Sequence, residues 1–147
     1  MLLGNKKSVV EEDLQGYLDS QGEITLDKLC YRISLKELKE LEPLLIKLQN
    51  AGHNLVSITR MIIRHFYRLY QVKHLITKGK TEQQAMASLY PPVFFKQVND
   101  FTRSLKLWSD EQLLDRLKSL TELELMAKKD LVTAGLILKN MILISDF

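Results

Sequence analysis

Four groups of residues have types and spacings that could do chemistry. Gly79-Lys80-Thr81 has the ending of a phosphate-binding loop. Such a loop needs a second glycine five residues earlier, so that backbone amides can wrap the phosphates, and a strand before it. Here that position is His74, within a helical pattern, and no strand pattern precedes it. The triplet serves fully as a helix stop followed by the cap of the next helix. His53, His65 and His74 are candidate metal ligands, yet His65 and His74 sit nine positions apart, on opposite sides of a helix, with no carboxylate in that stretch. Neither an HExxH pair nor a paired CxxC is present, so no zinc signature exists. Glu122 and Glu124 are two apart and point away from each other, which rules out a shared substrate. No nucleophile-base pairing can be argued from spacing. The fourth group is the line Arg60, Arg64, Arg68 at i, i+4, i+8, interleaved with Tyr67 and Tyr70. A basic stripe with tyrosines can grip a phosphate backbone. The plainer alternative is the solvated face of a surface helix.

That line lies in the most informative stretch of the chain. Residues 54–79 read as one long helix, about 36 Å at 1.5 Å per residue. From residue 43 to residue 81 there is no Asp or Glu, while Lys47, Arg60, Arg64, Arg68, Lys73, Lys78 and Lys80 are present. Leu55, Ile58, Ile62, Phe66, Leu69 and Ile76 form one apolar stripe; Ile63, Tyr67 and Tyr70 form a second, offset one. Apolar surface this wide belongs to a helix packed among several neighbours. The long helix reads as a spine, and the chain as an assembly protein without its own catalysis, cofactor or metal.

The remaining elements also have helical period, with no strand alternation. Ser8 with Glu11 is a capping box opening a helix to about residue 19, and residues 20–22 are a turn. Thr25 can cap a helix over residues 26–34. A further helix spans residues 37–51 and stops at Gly52. Pro43 inside it forces either a kink at Glu42 or a later start. Asn54 caps the spine and Gly79 ends it. Thr81 with Gln84 opens a short helix to Leu89. Pro91-Pro92 opens a helix to Lys106 with Pro92 at its first position. Ser109 with Gln112 caps a helix over residues 110–128, and an apolar terminal helix, read as buried, covers residues 132–145. Short connections between these helices predict an all-α helical bundle.

The chain has 147 residues, 46% of them apolar and 27% charged. This is an ordinary soluble composition, enough for one domain and its core. A net charge of +3 is too small to imply nucleic acid by itself. The single cysteine, Cys30, excludes an internal disulfide, fits a reducing compartment and reads as a small buried hydrophobe. No apolar signal region follows residues 1–8, and the tail at 131–144 is too short to span a bilayer. A cytosolic protein without membrane contact is expected. Residues 1–7 read as the continuation of a helix already under way, as in a fragment.

The stretch ITRMIIRHFYRLYQVKHLITKGKTEQQAMASL, then PPVFFKQVNDFTRSLKLWSDEQLLDRLKSLTELELMAKKD, resembles the C-terminal domain of the delta subunit of bacterial DNA polymerase III. The shared pattern is an Arg/Phe/Leu-rich helix, a Gly-Lys turn, a short helix, a Pro-opened helix and a long helix. Upstream, VVEEDLQGYLDSQGEITLDKLCYRI resembles the end of that subunit's middle, lid-like AAA+ domain. The resemblance implies residues 1–34 as a helical remnant of the lid domain and residues 35–147 as a C-terminal collar domain. It implies a non-catalytic module of the clamp loader, the five-subunit machine that places the sliding clamp on primed DNA. The parent holoenzyme would be a DNA-directed DNA polymerase, a nucleotidyltransferase of the bacterial cytoplasm. Partners would be gamma/tau-type and delta-prime-type subunits through the collar, with primed DNA met indirectly. The sliding clamp would be met only through an N-terminal domain that the chain lacks. Trp108, expected to be exposed, with Leu113, Leu117, Leu138 and Ile142 would contribute to the collar interface. The alternatives are a helical nucleic-acid-binding domain using Arg60, Arg64 and Arg68, and an unrelated helical enzyme.

Overall fold

The computed structural model describes residues 26–37, 39 and 41–143, with the side chains of residues 142 and 143 outside that description. The capping box at Ser8, its helix and the turn at 20–22 therefore lie outside the described residues. Among the described residues every regular element is helical, and the chain is an all-α bundle. Helix α1 covers residues 26–34. It is followed by α2 (Leu41–Asn50), α3 (Leu55–Thr77), α4 (Glu82–Ser88), α5 (Val98–Leu107), α6 (Asp110–Ala127) and α7 (Leu131–Leu143).

Local chemistry sets most boundaries. Asn54 accepts a hydrogen bond from the Ser57 amide at 2.8 Å and opens α3. Thr81 with Gln84, and Ser109 with Gln112, form reciprocal capping boxes at α4 and α6. Gly52 and Gly79, at φ +96° and +104°, stop α2 and α3 in the left-handed conformation that glycine adopts without strain. Helix α2 starts at Leu41, which puts Pro43 in its first turn. There its missing N–H would have had no intrahelical partner in any case, so the later start removes the need for a kink.

The structure differs from expectation after α4. Pro92 does not open a helix. Residues 91–94 form an irregular arm, Phe95–Gln97 is a 3-10 turn, and α5 begins at Val98. The two adjacent prolines keep Tyr90 and Pro91 out of the helical region, and the irregular path continues through Phe94. The arm is tied back by the Val93 amide to the Met86 carbonyl and by Arg68 Nη1 to the Pro91 carbonyl.

Helix α3 is the spine. Leu55, Ile58, Ile62, Phe66, Leu69 and Val72 are buried along one side, each contributing about 1.5–3 kcal/mol relative to exposure. Helix α6 packs along it in the opposite sense. Arg60 of the first half of α3 pairs with Glu124 near the end of α6, while Lys73 and Thr77 share a hollow with Ser109 and Asp110 at its start. Helix α7 packs on α6 and reaches α2, where Lys139 meets Glu42 at 3.5 Å. Helix α1 joins the same core through Leu29 and Ile33.

Candidate interaction surfaces

The four-residue spacing of Arg60, Arg64 and Arg68 puts them along one side of α3, and all three line a groove of about 960 Å³ between α1, α3 and the arm. Their surroundings differ. Arg60 Nε donates to Glu124 Oε1 at 2.6 Å. Arg68 is half-buried and donates to the Pro91 carbonyl at 2.7 Å. Arg64 is exposed and, among the described residues, has no hydrogen-bond or ion-pair partner. Desolvation, and then the charge of Arg64, holds the Arg68 guanidinium below its ordinary pKa, though it remains a cation at neutral pH. Asp27 also lines the groove and accepts from Gln97 Nε2 at 3.3 Å.

Beneath the groove lies a polar knot that the sequence did not disclose. Ser34, Ser104 and His65 are buried, with Ser34 Oγ 2.8 Å from Ser104 Oγ and 2.9 Å from His65 Nε2. Ser34 Oγ also lies 3.2 Å from the Tyr31 carbonyl. Its one hydroxyl proton serves one of these three neighbours, and the tautomer of the neutral His65 ring sets whether Nε2 donates to Ser34 or accepts from it. Tyr31, Phe66 and Phe101 surround that ring edge-on. Burial, with the nearby Arg68 charge second, lowers the His65 pKa from 6.5 to about 3. The Ser34 carbonyl accepts from Trp108 Nε1 at 2.7 Å. Burial also pushes the Cys30 thiol up, so it stays protonated in the core.

This knot corrects the expectation for Trp108. It is 3% exposed, packed edge-on against Phe66, because its indole N–H finds a partner that only the folded chain supplies. Leu113 and Leu138 are likewise fully buried, and Leu117 is half-buried. Ile142 lies in α7, with its side chain outside the described residues. The apolar residues that do face outward are others. Leu125 and Met126 at the end of α6, and Leu131, Val132 and Leu136 at the start of α7, flank the short α6–α7 corner, with Val132 75% and Leu136 60% exposed. Helix α7 is thus buried on one side only, through Ala134 and Leu138. A second exposed group is Tyr90, Phe94 and Phe95 on the arm. The Pro91-Pro92 pair was the available signal for it, since aromatics that follow a broken helical period have no core face to join.

Among the described residues no cluster of three or more His, Cys, Asp or Glu could hold a metal, and no helix is long and apolar enough to cross a membrane. The family model for the C-terminal domain of the DNA polymerase III delta subunit matches residues 28–144. A relative named "Probable DNA polymerase III subunit delta", from Rickettsia prowazekii (strain Madrid E), is 37% identical over 87 residues. That match covers 59% of this chain and 26% of the relative, so it spans about a quarter of that protein's length. No solved structure matches the chain.

Proposed function

The chain belongs to the family formed by the C-terminal domain of the DNA polymerase III delta subunit, and from that premise we propose that it is a non-catalytic assembly module of a replication clamp loader. On this reading residues 35–147 are a collar domain and residues 1–34 the end of the lid-like domain before it. The collar joins gamma/tau-type and delta-prime-type subunits and supports loading of the sliding clamp onto primed DNA. Contact with the clamp itself falls to a domain N-terminal to both. The setting is the replisome in the bacterial cytoplasm, and the polymerase reaction belongs to other parts of the holoenzyme.

The observation that carries this reading is the uncovered α6–α7 corner. Its core-facing residues, Leu113, Leu120, Leu123 and Leu138, are already buried within the chain, so the outward Leu125, Leu131, Val132 and Leu136 are surplus to the domain's own packing. Several large apolar side chains exposed around one helix connection suit a protein contact, and a ring position requires different patches on its two sides. The helices expected at the interface, α6 and α7, stay in the proposal, with the contact moved to their exposed residues. Size-exclusion chromatography of the full chain with the other loader subunits tests it. Co-elution is expected, and Val132→Asp with Leu136→Asp should abolish it without changing thermal stability. A persistent monomer in the presence of all partners overturns the reading.

A further inference from the structure

The groove beside the arginine line has no part in that assembly reading. Its apolar lining comes from Leu26 and Cys30 of α1, Met61 of α3, and Pro91, Pro92 and Phe94 of the arm. Its cationic lining is Arg60, Arg64 and Arg68, with Asp27 the one carboxylate among the described lining residues. Phe94 is 52% exposed, and Phe95 packs edge-on against it at 4.7 Å between centroids. The groove thus joins an apolar floor to an excess of positive charge.

A nucleic-acid strand and an acidic peptide are the two polyanions to weigh. Affinity for a strand grows with the number of phosphates neutralised, each adding about 0.7–0.9 to the salt slope. Here Arg60 is paired with Glu124 and Arg68 is partly engaged by Pro91. One free guanidinium and one partly used support roughly two phosphate contacts, too few for tight binding to a strand. A phosphate backbone would also leave the apolar floor unfilled. A carboxylate with an apolar neighbour uses both halves of the groove. A guanidinium can take a carboxylate through two parallel hydrogen bonds, and the floor buries the side chain beside it. A volume of about 960 Å³ is at the upper end for small-ligand sites, about 300–1,000 Å³. That size suits a few residues of extended or helical peptide, not a folded domain.

We propose that this groove docks a peptide segment of a partner protein bearing one or two carboxylates next to bulky apolar side chains. Arg64 takes the first carboxylate, Arg68 orients it from within, and Met61 and Phe94 receive the apolar side chain. An anion between Arg64 and Arg68 also relieves the repulsion that each imposes on the other.

Fluorescence anisotropy on the full chain tests this with labelled ten-residue peptides in which two glutamates flank Leu, Phe or Trp. Control probes carry Gln or Lys in place of Glu, and a twenty-residue oligo-dT represents nucleic acid. At least one glutamate peptide should bind. Arg64→Glu should weaken it by about tenfold to a hundredfold, as expected for losing a charge-assisted pair, and should improve binding of the lysine version. Phe94→Ser should also weaken it, and Val132→Asp at the assembly corner should leave it unchanged, so groove and corner fail or succeed separately. Unchanged Trp108 emission and thermal unfolding establish that Arg64→Glu and Phe94→Ser still fold. The proposal is overturned by failure of every glutamate peptide to bind, by binding indifferent to both groove substitutions, or by oligo-dT binding more tightly than any peptide at equal salt and being lost with Arg64→Glu.

Discussion

Lowering the pH should destabilise the protein through His65, and the size of the effect follows from the structure. The imidazole is enclosed by Tyr31, Phe66 and Phe101 and is fixed by Ser34. Its folded pKa is lowered from 6.5 to about 3, by burial first and by the Arg68 charge second. Between those values the unfolded chain binds the proton and the folded chain does not. Stability therefore rises with pH across that window: it is fully present above about 6.5 and is lost progressively as the pH falls toward 3. One proton gives a slope of about 1.4 kcal/mol per pH unit. From pH 7 to pH 4.5 the loss comes to about 2.5 kcal/mol, a large fraction of an ordinary domain's 5–15 kcal/mol. Titrating carboxylates change stability over the same range, so the test is a difference. Urea unfolding of the wild type and His65→Gln at pH 7, 5.5 and 4.5 can be followed by the emission of Trp108, the one tryptophan. Glutamine keeps an amide donor near Ser34 and binds no proton. The wild type should be the more stable at pH 7, and its advantage should shrink by about 2.5 kcal/mol by pH 4.5. Parallel pH profiles for the two proteins, or a His65 that titrates near 6.5 by NMR in the folded state, would refute the account of the knot.

Trp108→Phe should cost about 1–3 kcal/mol, because the Ser34 carbonyl loses its buried indole donor; thermal unfolding by circular dichroism measures it. Ser109→Ala removes the cap of α6 and should cost about 1 kcal/mol by the same assay. Leu113→Ala and Leu138→Ala should each cost about 2–5 kcal/mol as core truncations, while the folded variants still co-elute with loader subunits. Val132→Asp should do the reverse, changing stability by no more than about 0.5 kcal/mol and weakening co-elution.

Features set by neighbours in the sequence are legible without the fold. Asn54, Thr81 and Ser109 cap helices through amides three residues on, and Gly52 and Gly79 stop them within one turn. The apolar stripe of α3 likewise follows from a period of 3.6. Features that depend on distant partners are hidden. Trp108 reads as exposed in the sequence because its burial depends on Ser34, 74 residues away. The arginine line reads as uniform because Glu124 and Pro91, 64 and 23 residues from their partners, divide it only in the fold. The tail helix reads as buried because its composition is largely apolar, and composition does not report that Leu131, Val132 and Leu136 face outward while Ala134 and Leu138 face the core.

The knot also bears on how the groove works. Ser34 ends α1, yet its hydroxyl meets α3 through His65 and α5 through Ser104, and its carbonyl meets Trp108. Pulling α1 away from the bundle would strand these buried groups at about 1–3 kcal/mol each, in addition to exposing Leu29 and Ile33. Helix α1 is therefore held against α3 and α5, and the arm is held to α3 by Arg68 and to α1 by Gln97. The groove walls are fixed before any ligand arrives. A ligand entering preorganised walls avoids the ordering cost that weakens binding to mobile surfaces. Ser34→Ala should then act at a distance. It leaves every groove-lining residue in place but removes the hydroxyl that joins three helices, so it should lower stability and weaken peptide binding together. Arg64→Glu should weaken binding alone. If Ser34→Ala lowers stability by about 1 kcal/mol or more and binding is unaffected, the walls are not held by the knot, and the groove's shape must come from the apolar packing of α1 alone.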